Sequence, residues 1–456
     1  MREPRIASLW LGELPDAEMR PALSGRHHAD VAIVGGGYSG LWTAYYLAGR
    51  RPDLRISVLD AQWVGFGASG RNGGWCSSHF GGVDAMMARP GEREAGIALQ
   101  RAVFDAVDEV GRVSRTEGID CGFHKGGMLH FAANPGELER LRARAEALDA
   151  YGFGPDDHTW LDATTCKRRL TTAKCLGGLL ERHTAAVHPL RLARGLAAAA
   201  EQRGVTIFEN SHVEEIGPGR LRGAHGVVHA AITIRATEGY TPLLPGSARD
   251  VIPIHSWMVA TEPLTPATWD EIGLADREVF GDGRRMVTYG QRTEDGRIAF
   301  GSRGTYRFGS RIEERSGPED PHFAPVRARL VEMLPVLQNV RLTHAWGGPL
   351  AATRDGRPFV CFHRESGFGA LGGYTGSGVA AANLTGRTLA DLVAGVDSER
   401  TRLPFVRPLP RRWEIEPLRW LGVTTVLRAG ESADAAERRG ARPRGRDWMF
   451  QTMAHG

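Results

Sequence analysis

Asp30-Val31-Ala32-Ile33-Val34-Gly35-Gly36-Gly37-Tyr38-Ser39-Gly40 is the stretch from which the fold follows. Asp30 to Val34 is short, apolar and β-branched, which reads as a buried strand, and three glycines end it. Tyr38 to Arg50 reads as a helix with Ala44, Leu47 and Ala48 on one face, and Ile56-Ser57-Val58-Leu59-Asp60 as a second strand. Strand, glycine turn, helix and strand fit within ~30 residues, the βαβ unit of a parallel sheet. Gly35, Gly37 and Gly40 match G-x-G-x-x-G, which serves a tight turn, backbone approach to a pyrophosphate and close helix–strand packing in turn. The helix N-terminus adds free N–H groups and a positive dipole for the phosphates. Asp60, twenty residues after Gly40, ends the second strand, where a carboxylate accepts ribose hydroxyls and repels a 2′-phosphate. Together these predict a dinucleotide site, with Tyr38, Ser39 and Ala61 beside it.

A second glycine loop follows, Gly67-Ala68-Ser69-Gly70-Arg71-Asn72-Gly73-Gly74. It offers backbone N–H groups, the Ser69 hydroxyl and the Arg71 guanidinium to a pyrophosphate and a ring system. This loop, and the fingerprint's position close to the N-terminus, favour a tightly held FAD over NAD. Further along, residues 93 to 117 read as a helix, Gly126 to Phe131 as a strand and Pro135 to Tyr151 as a charged helix. A Pro-initiated helix (Pro189 to Gln202) and strands at Val205 to Phe208 and Ala231 to Ala236 return to the first domain. From Val251 to Phe308 the pattern becomes antiparallel, with Asp295-Gly296 as a hairpin turn between Met286 to Gln291 and Arg297 to Arg303. Phe368 to Leu371, a glycine loop and a helix from Gly376 to Ala394 close the core.

The expected architecture is therefore mixed, α/β with α+β. A Rossmann-like, FAD-binding parallel-sheet domain (1–82, 152–249 and 342–400) is interleaved with an antiparallel substrate domain carrying a helical insert (83–151 and 250–341). Residues 401–456 form an appendage, and residues 1–29 an arm packed back through Leu9, Trp10 and Leu11.

Length and composition agree with two packed domains. The chain has 456 residues, 42% hydrophobic and 24% charged. Lys plus Arg exceed Asp plus Glu by only 57 to 53 and form no long basic run, so nucleic-acid binding finds no support. The five cysteines (Cys76, Cys121, Cys166, Cys175, Cys361) have no metal-type spacing, and no metal is expected. Their odd number in a large chain without a secretory h-region or a membrane span points to the cytoplasm.

Four motifs carry a family resemblance: the Gly35 fingerprint, the Gly67-to-Gly74 loop, Ala236-Thr237-Glu238-Gly239-Tyr240, and Gly372-Gly373-Tyr374-Thr375-Gly376-Ser377-Gly378. With them the chain resembles the D-amino acid oxidase superfamily of FAD enzymes over about residues 5 to 400, most closely its γ-glutamylputrescine oxidoreductase-like branch. The resemblance implies that Gly35, Gly37, Gly40 and Asp60 hold the AMP half. It gives pyrophosphate and flavin to Ser69, Arg71, Asn72 and Gly73, and adenine to the backbone at Val213. Thr237 and Gly239 belong to the same cradle. The C-terminal loop, with Gly373, Tyr374, Thr375, Gly376, Ser377, Gly378 and Val379, is expected beside the flavin pyrimidine ring, where N–H groups and a helix dipole stabilise reduced flavin. Family members that link FAD covalently use a His near the second loop or a Cys before the last strand. Arg71-Asn72 and Gly347-Gly348-Pro349 occupy those places here, so non-covalent FAD is expected, with Cys76 and His79 the nearest candidate linkers.

The implied reaction is hydride transfer from an amine-bearing carbon to flavin N5, giving an imine that water hydrolyses, with O2 or another acceptor reoxidising the flavin. Amino acid oxidases of the family grip the substrate carboxylate with arginines at places that align here with Leu350 and Gly376. Their loss favours an amine whose anionic group lies further off or is absent. Arg303 and Arg307, near Tyr306, are candidate distal anchors, weighed against ordinary surface arginines. Tyr289 and His255 are candidate pocket residues, Trp346 a candidate neighbour of the ring, and His344 a structural histidine. Tyr374, Thr375, Arg303 and Tyr289 are the candidate catalytic residues. Rival readings are an aminophosphonate or D-amino acid oxidase of the same fold, an NAD-linked dehydrogenase, and a flavin-bound partner-binding protein without turnover.

Overall fold

The strand read from Asp30 begins earlier in the folded chain, at Gly25, because Gly25–Val34 pairs along its whole length with Gly226–Arg235, parallel and in register from Gly25 opposite Gly226. The computed structural model describes residues 8–12, 19–217, 219–443 and 445. The helix Tyr38–Arg50 and the strand Ile56–Leu59 follow as read, and Ile56–Leu59 pairs parallel with Gly25–Val34 on its other edge. Both faces of the central strand are covered. Val31 and Ile33 join the helical core, whereas Ala32 and Val34 join the cluster that holds Leu221 and Val228. Burial on both faces explains the unbroken apolar run from Val31 to Val34.

The first sheet runs Phe359–His363, Phe368–Gly372, Gly226–Arg235, Gly25–Val34, Ile56–Leu59, Thr206–Phe208, parallel apart from the first pair. Helices Pro189–Glu201 and Gly378–Ala394 pack against Tyr38–Arg50 on one face. The second sheet runs Leu342–Ala352, Ile252–Thr261, Ile298–Tyr306, Thr288–Arg292, Val279–Asp282, Met128–Phe131, Gly177–Glu181, His158–Asp162. Its pairs are antiparallel except Val279–Asp282 with Met128–Phe131. The hairpin around Asp295-Gly296 forms as expected, with Thr288–Arg292 against Ile298–Tyr306. Its core joins Phe280, Phe300 and Trp257 to Leu330 of helix Ala324–Met333 and to Phe323 just before it.

Sheet membership differs from the expected partition at two places. His158–Asp162 and Gly177–Glu181 extend the second sheet, although residues from 152 onward are grouped with the first domain by sequence. Leu342–Ala352 also belongs to the second sheet, paired with Ile252–Thr261 along its length. In both cases the partner strand is remote in sequence, and strand periodicity carries no information about which sheet completes a strand.

The described part of the appendage is packed against the body. Helix Leu418–Arg438 lies against the second-sheet domain, where Asp434 pairs with the buried Arg285 at 3.2 Å and Glu437 with Arg140 at 2.8 Å. Tyr306 donates to Glu416 at 2.8 Å, and the Trp413 indole donates to the Ala352 carbonyl at 3.0 Å.

At the N-terminus Leu9 and Trp10 are buried, as the apolar patch suggested. The Trp10 indole packs edge-on against His188 and Trp346 and donates to the Asn72 carbonyl at 2.9 Å. The arm thus pins the second glycine loop. Trp10→Ala is expected to cost about 3 kcal/mol, read as a lower urea midpoint at unchanged slope. A variant as stable as the wild type would remove the arm from the core.

Candidate active site

The parallel strands of the first sheet all point their carboxyl ends at one cleft, the place where open α/β sheets bind ligands. Val34 leads into Gly35–Gly37, Leu59 into Asp60, Phe208 toward Ser211 and Val213, Arg235 into Thr237–Tyr240, and Gly372 into Tyr374. Two adjoining cavities of about 380 and 180 Å³ occupy the cleft and share Tyr38, Ser39, Ala68, Ser69 and Glu238 as lining.

The larger cavity is built from the fingerprint. Gly35, Gly37, Asp60, Ala61, Gly67 and Val213 line it, as do Thr237 and Gly239. Gly35 has φ +114°, a conformation that L side chains rarely adopt. Asp60 accepts the Gly36 N–H at 2.8 Å and the Gln62 N–H at 2.9 Å, and each oxygen keeps lone-pair capacity for a hydroxyl donor. Burial pushes this carboxyl up to about 6. The smaller cavity is lined by Arg71, Asn72 and Gly73, by Tyr289, by Tyr374, and by Gly376, Ser377, Gly378 and Val379 from the C-terminal loop. Leu350 also lines it, so Leu350 and Gly376 do border the cleft.

A hydrogen-bond chain fixes the loops to one another. The Tyr38 N–H donates to Ser69 Oγ at 2.8 Å, joining the two N-terminal glycine loops. Ser39 Oγ and the Tyr374 phenol are 2.8 Å apart, joining the fingerprint to the C-terminal loop. The Tyr374 N–H donates to Glu238 Oε1 at 3.0 Å, and the Ala351 N–H donates to Glu238 Oε2 at 2.9 Å. Glu238 adopts φ +42° and lies between the cavities, and burial pushes its carboxyl up to about 7. Its backbone is thus held in the left-handed region by the contacts its own side chain makes.

Several residues fall outside the roles their sequence context suggested. Gly74 faces the protein, where a side chain would meet the Gln291 amide, whereas Gly40 is packed tightly against Gly35 and Ile33, the close helix–strand contact its motif calls for. Gly373 and Thr375 line neither cavity. Thr375 has φ +50°, and its N–H donates to the Ala351 carbonyl at 3.0 Å. Arg71 is expected to offer its guanidinium to a pyrophosphate. Instead the group is buried, bonded to the Tyr240 hydroxyl and, at 3.2 Å, to the Gly347 carbonyl, 3.6 Å from Glu314, and stacked over Phe66. The Asn72 side chain closes its own loop, accepting the Gly74 N–H at 2.7 Å. Arg307 is paired with Glu313 at 2.8 Å and lines neither cavity. Arg303 lies on the strand opposite Ser256, with its side chain outside the described part of the structure. His255 is fully buried between the Thr305 carbonyl and the Glu313 N–H, and Trp346 is buried with its indole on the Arg71 carbonyl. His344 is bonded to Thr343 and lines neither cavity.

The Tyr374 phenol is turned into the protein, 2.8 Å from Thr385 Oγ1 as well as from Ser39 Oγ, and burial pushes it up. It ties two helices together and has no free position for proton transfer. Tyr374→Phe is expected to lose about 1–2 kcal/mol of stability and to keep turnover within about threefold of the wild type. A hundredfold loss at unchanged stability would restore the phenol to a chemical role.

Sequence reading passed over several lining residues. Glu238 stood inside a quoted motif, yet only its neighbours were assigned, because an acid between small residues resembles turn chemistry. Tyr240 and Glu314 close the larger cavity, with the Tyr240 hydroxyl donating to Glu314 at 2.8 Å. Trp75, Ser77, Ser256, Met258 and Val287 line the smaller one, together with His79, which the sequence offers only as a candidate linker. The Tyr289 ring stands against Gly73 and edge-on to Trp75, with its hydroxyl bonded to Ser256. The wall opposite the glycine loops is therefore aromatic and aliphatic.

The cleft fits a long dinucleotide: a ribose-competent acid at one end, bare glycine backbone in the middle, and a helix N-terminus with an apolar wall at the other. A family model described as "FAD dependent oxidoreductase" (DAO) matches residues 30–392. A probable oxidoreductase OrdL of Rhizobium meliloti (strain 1021) is 32% identical over 402 residues, covering 86% of this chain and 89% of its own length. The gamma-glutamylputrescine oxidoreductase of Escherichia coli (strain K12) is 31% identical over 382 residues, covering 81% and 84%. Among solved structures, a glycine oxidase from Bacillus cereus ATCC 14579 superposes with a TM-score of 0.68 at 19% identity, covering 85% of this chain and all of its own.

Proposed function

The chain belongs to the DAO family of FAD-dependent oxidoreductases, and from that premise we propose that it oxidises the C–N bond of an amine whose reacting carbon bears no carboxylate. The observation that carries this reading is the lining of the smaller cavity. Among its described residues the only guanidinium is that of Arg71, already bonded to Tyr240 and Gly347. Leu350 and Gly376 offer no charge to an α-carboxylate, whose burial without a partner would be costly. Trp75, Met258, Val287, Tyr289 and Leu350 suit an alkyl amine.

FAD would be held by the loops at Gly35, Gly67 and Gly376 with Asp60, and it would supply the hydride acceptor of the reaction. A primary amine R–CH2–NH2 that gives up a hydride leaves the iminium R–CH=NH2+, and water converts this to the aldehyde and ammonium. The chain's part is to position the amine against an apolar wall and exclude water until the hydride has left. In this reading FAD is not covalently linked: Cys76 is buried, with its thiol pushed up by burial, and His79 lies beside Glu181. A γ-glutamylputrescine-like amine satisfies the absence of an α-carboxylate. A distal anionic group gains no support from Arg307, which Glu313 neutralises.

Anaerobic bleaching of the purified yellow protein tests the reading, with polyamines, N-methyl amines, α-amino acids and aminophosphonates as the panel. Amines without an α-carboxylate are expected to bleach the flavin at least about tenfold faster than α-amino acids. Fastest bleaching by an α-amino acid or an aminophosphonate, or bleaching by nothing, rejects it.

A further inference from the structure

Helix Leu418–Arg438 lies beyond the residues 30–392 that the family model matches, yet its last turns reach the wall of the smaller cavity through one carboxylate. The contact is made at the loop 283–287, which joins strands Val279–Asp282 and Thr288–Arg292. A hairpin loop of this length is not held by a tight two-residue turn, so its backbone donors need partners elsewhere. Among the described residues no backbone hydrogen bond joins two residues of 283–287. The Gly283 N–H donates to the Phe131 carbonyl at 3.1 Å and the Arg284 N–H to Asp282 Oδ1 at 3.4 Å. The next two donors both go to Asp434 on the C-terminal helix. Its Oδ1 accepts the Arg285 N–H at 3.2 Å, and its Oδ2 accepts the Met286 N–H at 3.0 Å.

Asp434 is 3% exposed, and a carboxylate buried so deeply needs a counter-charge. Arg285 supplies it, with Nη1 at 3.2 Å from Asp434 Oδ1 and Nη2 donating to Glu437 Oε1 at 2.9 Å. Arg140 closes the other side of the loop, donating to Glu437 at 2.8 Å and to the Gly283 carbonyl at 3.0 Å. The loop's shape is therefore imposed from outside by the helix. Val287 follows Met286 directly and lines the smaller cavity, as Tyr289 does two residues on. Residues at this spacing share one face of a strand. Tyr289 has its own anchor, a hydroxyl bonded to Ser256. The Val287 side chain has no polar atom, so the backbone that Asp434 grips decides where its methyl groups stand.

We infer that Asp434 is a positioning residue for the substrate: by holding the loop 283–287 it sets Val287 on the pocket wall, where the valine methyls contact the alkyl part of the amine. This rests on the amine-oxidation reading above and adds to it a residue of the C-terminal helix that touches neither substrate nor flavin.

The holoenzyme is titrated anaerobically with n-hexylamine and with ethylamine. Affinity is read from the perturbation of the flavin spectrum, which needs no turnover, and reduction from its bleaching. Val287→Ala and Asp434→Ala are each expected to weaken n-hexylamine about tenfold, the loss of two buried methyl contacts, and to weaken ethylamine less. The double variant is expected to bind n-hexylamine no more weakly than either single one, because both changes remove the same contact. Asp434→Asn keeps one acceptor oxygen and is expected to retain part of the affinity. It stands in the cycle in place of Asp434→Ala should that protein not fold. Independent effects would instead multiply, to about a hundredfold in the double variant. That outcome, or wild-type affinity in either single variant, overturns the inference. Amines that perturb the flavin without bleaching it reject amine oxidation and leave the coupling measured. Bleaching with multiplied effects rejects only the positioning role, and no perturbation by either amine rejects both.

Discussion

Gly37→Val protein is expected to fold and to purify without its yellow colour. Gly37 caps the fingerprint helix with φ −89° and ψ −177°, extended backbone that valine adopts freely. The substitution therefore adds no backbone strain, unlike one at Gly35, where φ is +114°. What it adds is bulk on the wall of the larger cavity. A Cβ at Gly37 would stand 2.8 Å from Ser69 Oγ, the atom that accepts the Tyr38 N–H and joins the two glycine loops. Valine's methyl groups also occupy the space that a diphosphate must enter to reach the helix N-terminus. Overpacking of this kind costs about 1–3 kcal/mol, which corresponds to a loss of roughly tenfold to a hundredfold in FAD affinity. Fluorescence titration of the apoprotein with FAD measures it, and an unchanged circular dichroism spectrum with a single cooperative melt confirms the fold. Stoichiometric flavin in the purified variant would mean that the pyrophosphate does not pass Gly37.

The contrast between Gly37 and Arg71 shows what a linear sequence can carry. The fingerprint from Val31 to Asp60 is local: its strand, turn, helix and acid specify one another within thirty residues, and the folded chain reproduces them. The hairpin at Asp295-Gly296 and the helices that start at Pro135 and Pro189 are legible for the same reason. Arg71 is a different case. Its neighbours Tyr240, Gly347 and Glu314 lie 169 or more positions away, and their competition for its guanidinium is invisible in the loop itself. The same holds for Leu342–Ala352, a strand by its pattern whose sheet is decided by Ile252–Thr261. Tyr374 lines the smaller cavity, but the direction of its phenol depends on Ser39 and Thr385. Trp75 and Met258 have no motif to mark them, and His79 is marked only as a candidate linker. Their place on the cavity wall follows from the second sheet closing over the first domain's glycine loops.

Glu238 gives the protein a pH dependence that its charge count does not suggest. Both carboxylate oxygens are bonded to backbone N–H groups, of Tyr374 and Ala351, yet burial dominates and pushes the carboxyl from 4.5 up to about 7. Between those values the folded chain keeps a proton that the unfolded chain has lost. Stability from this group is therefore full below about pH 4.5 and is lost as pH rises through 7. Glu137, pushed up to about 7, and Asp60 and Asp282, each pushed up to about 6, act in the same direction. Glu181, held well below the ordinary range with Arg144 and His79 beside it despite its burial, contributes stability that is lost only as the pH falls through the acid range. The apoprotein should thus melt highest in mildly acidic buffer and lower at pH 8. A shift of this size is worth on the order of 3 kcal/mol. Glu238→Gln fixes the neutral form, although its amide turns an N–H group toward one backbone donor. It is expected to melt below the wild type in mild acid and above it at pH 8. FAD affinity should follow the same side chain. The carboxylate lines both cavities, so ionising it sets a negative charge against an anionic diphosphate. Wild-type affinity is expected to fall about tenfold between pH 6 and pH 8, and that of Glu238→Gln to stay flat. Parallel titrations of the two proteins at those pH values decide it. An equal pH dependence in both would assign the proton to another group, and a wild-type affinity that rises with pH would reverse the sign of the charge the cleft presents to FAD.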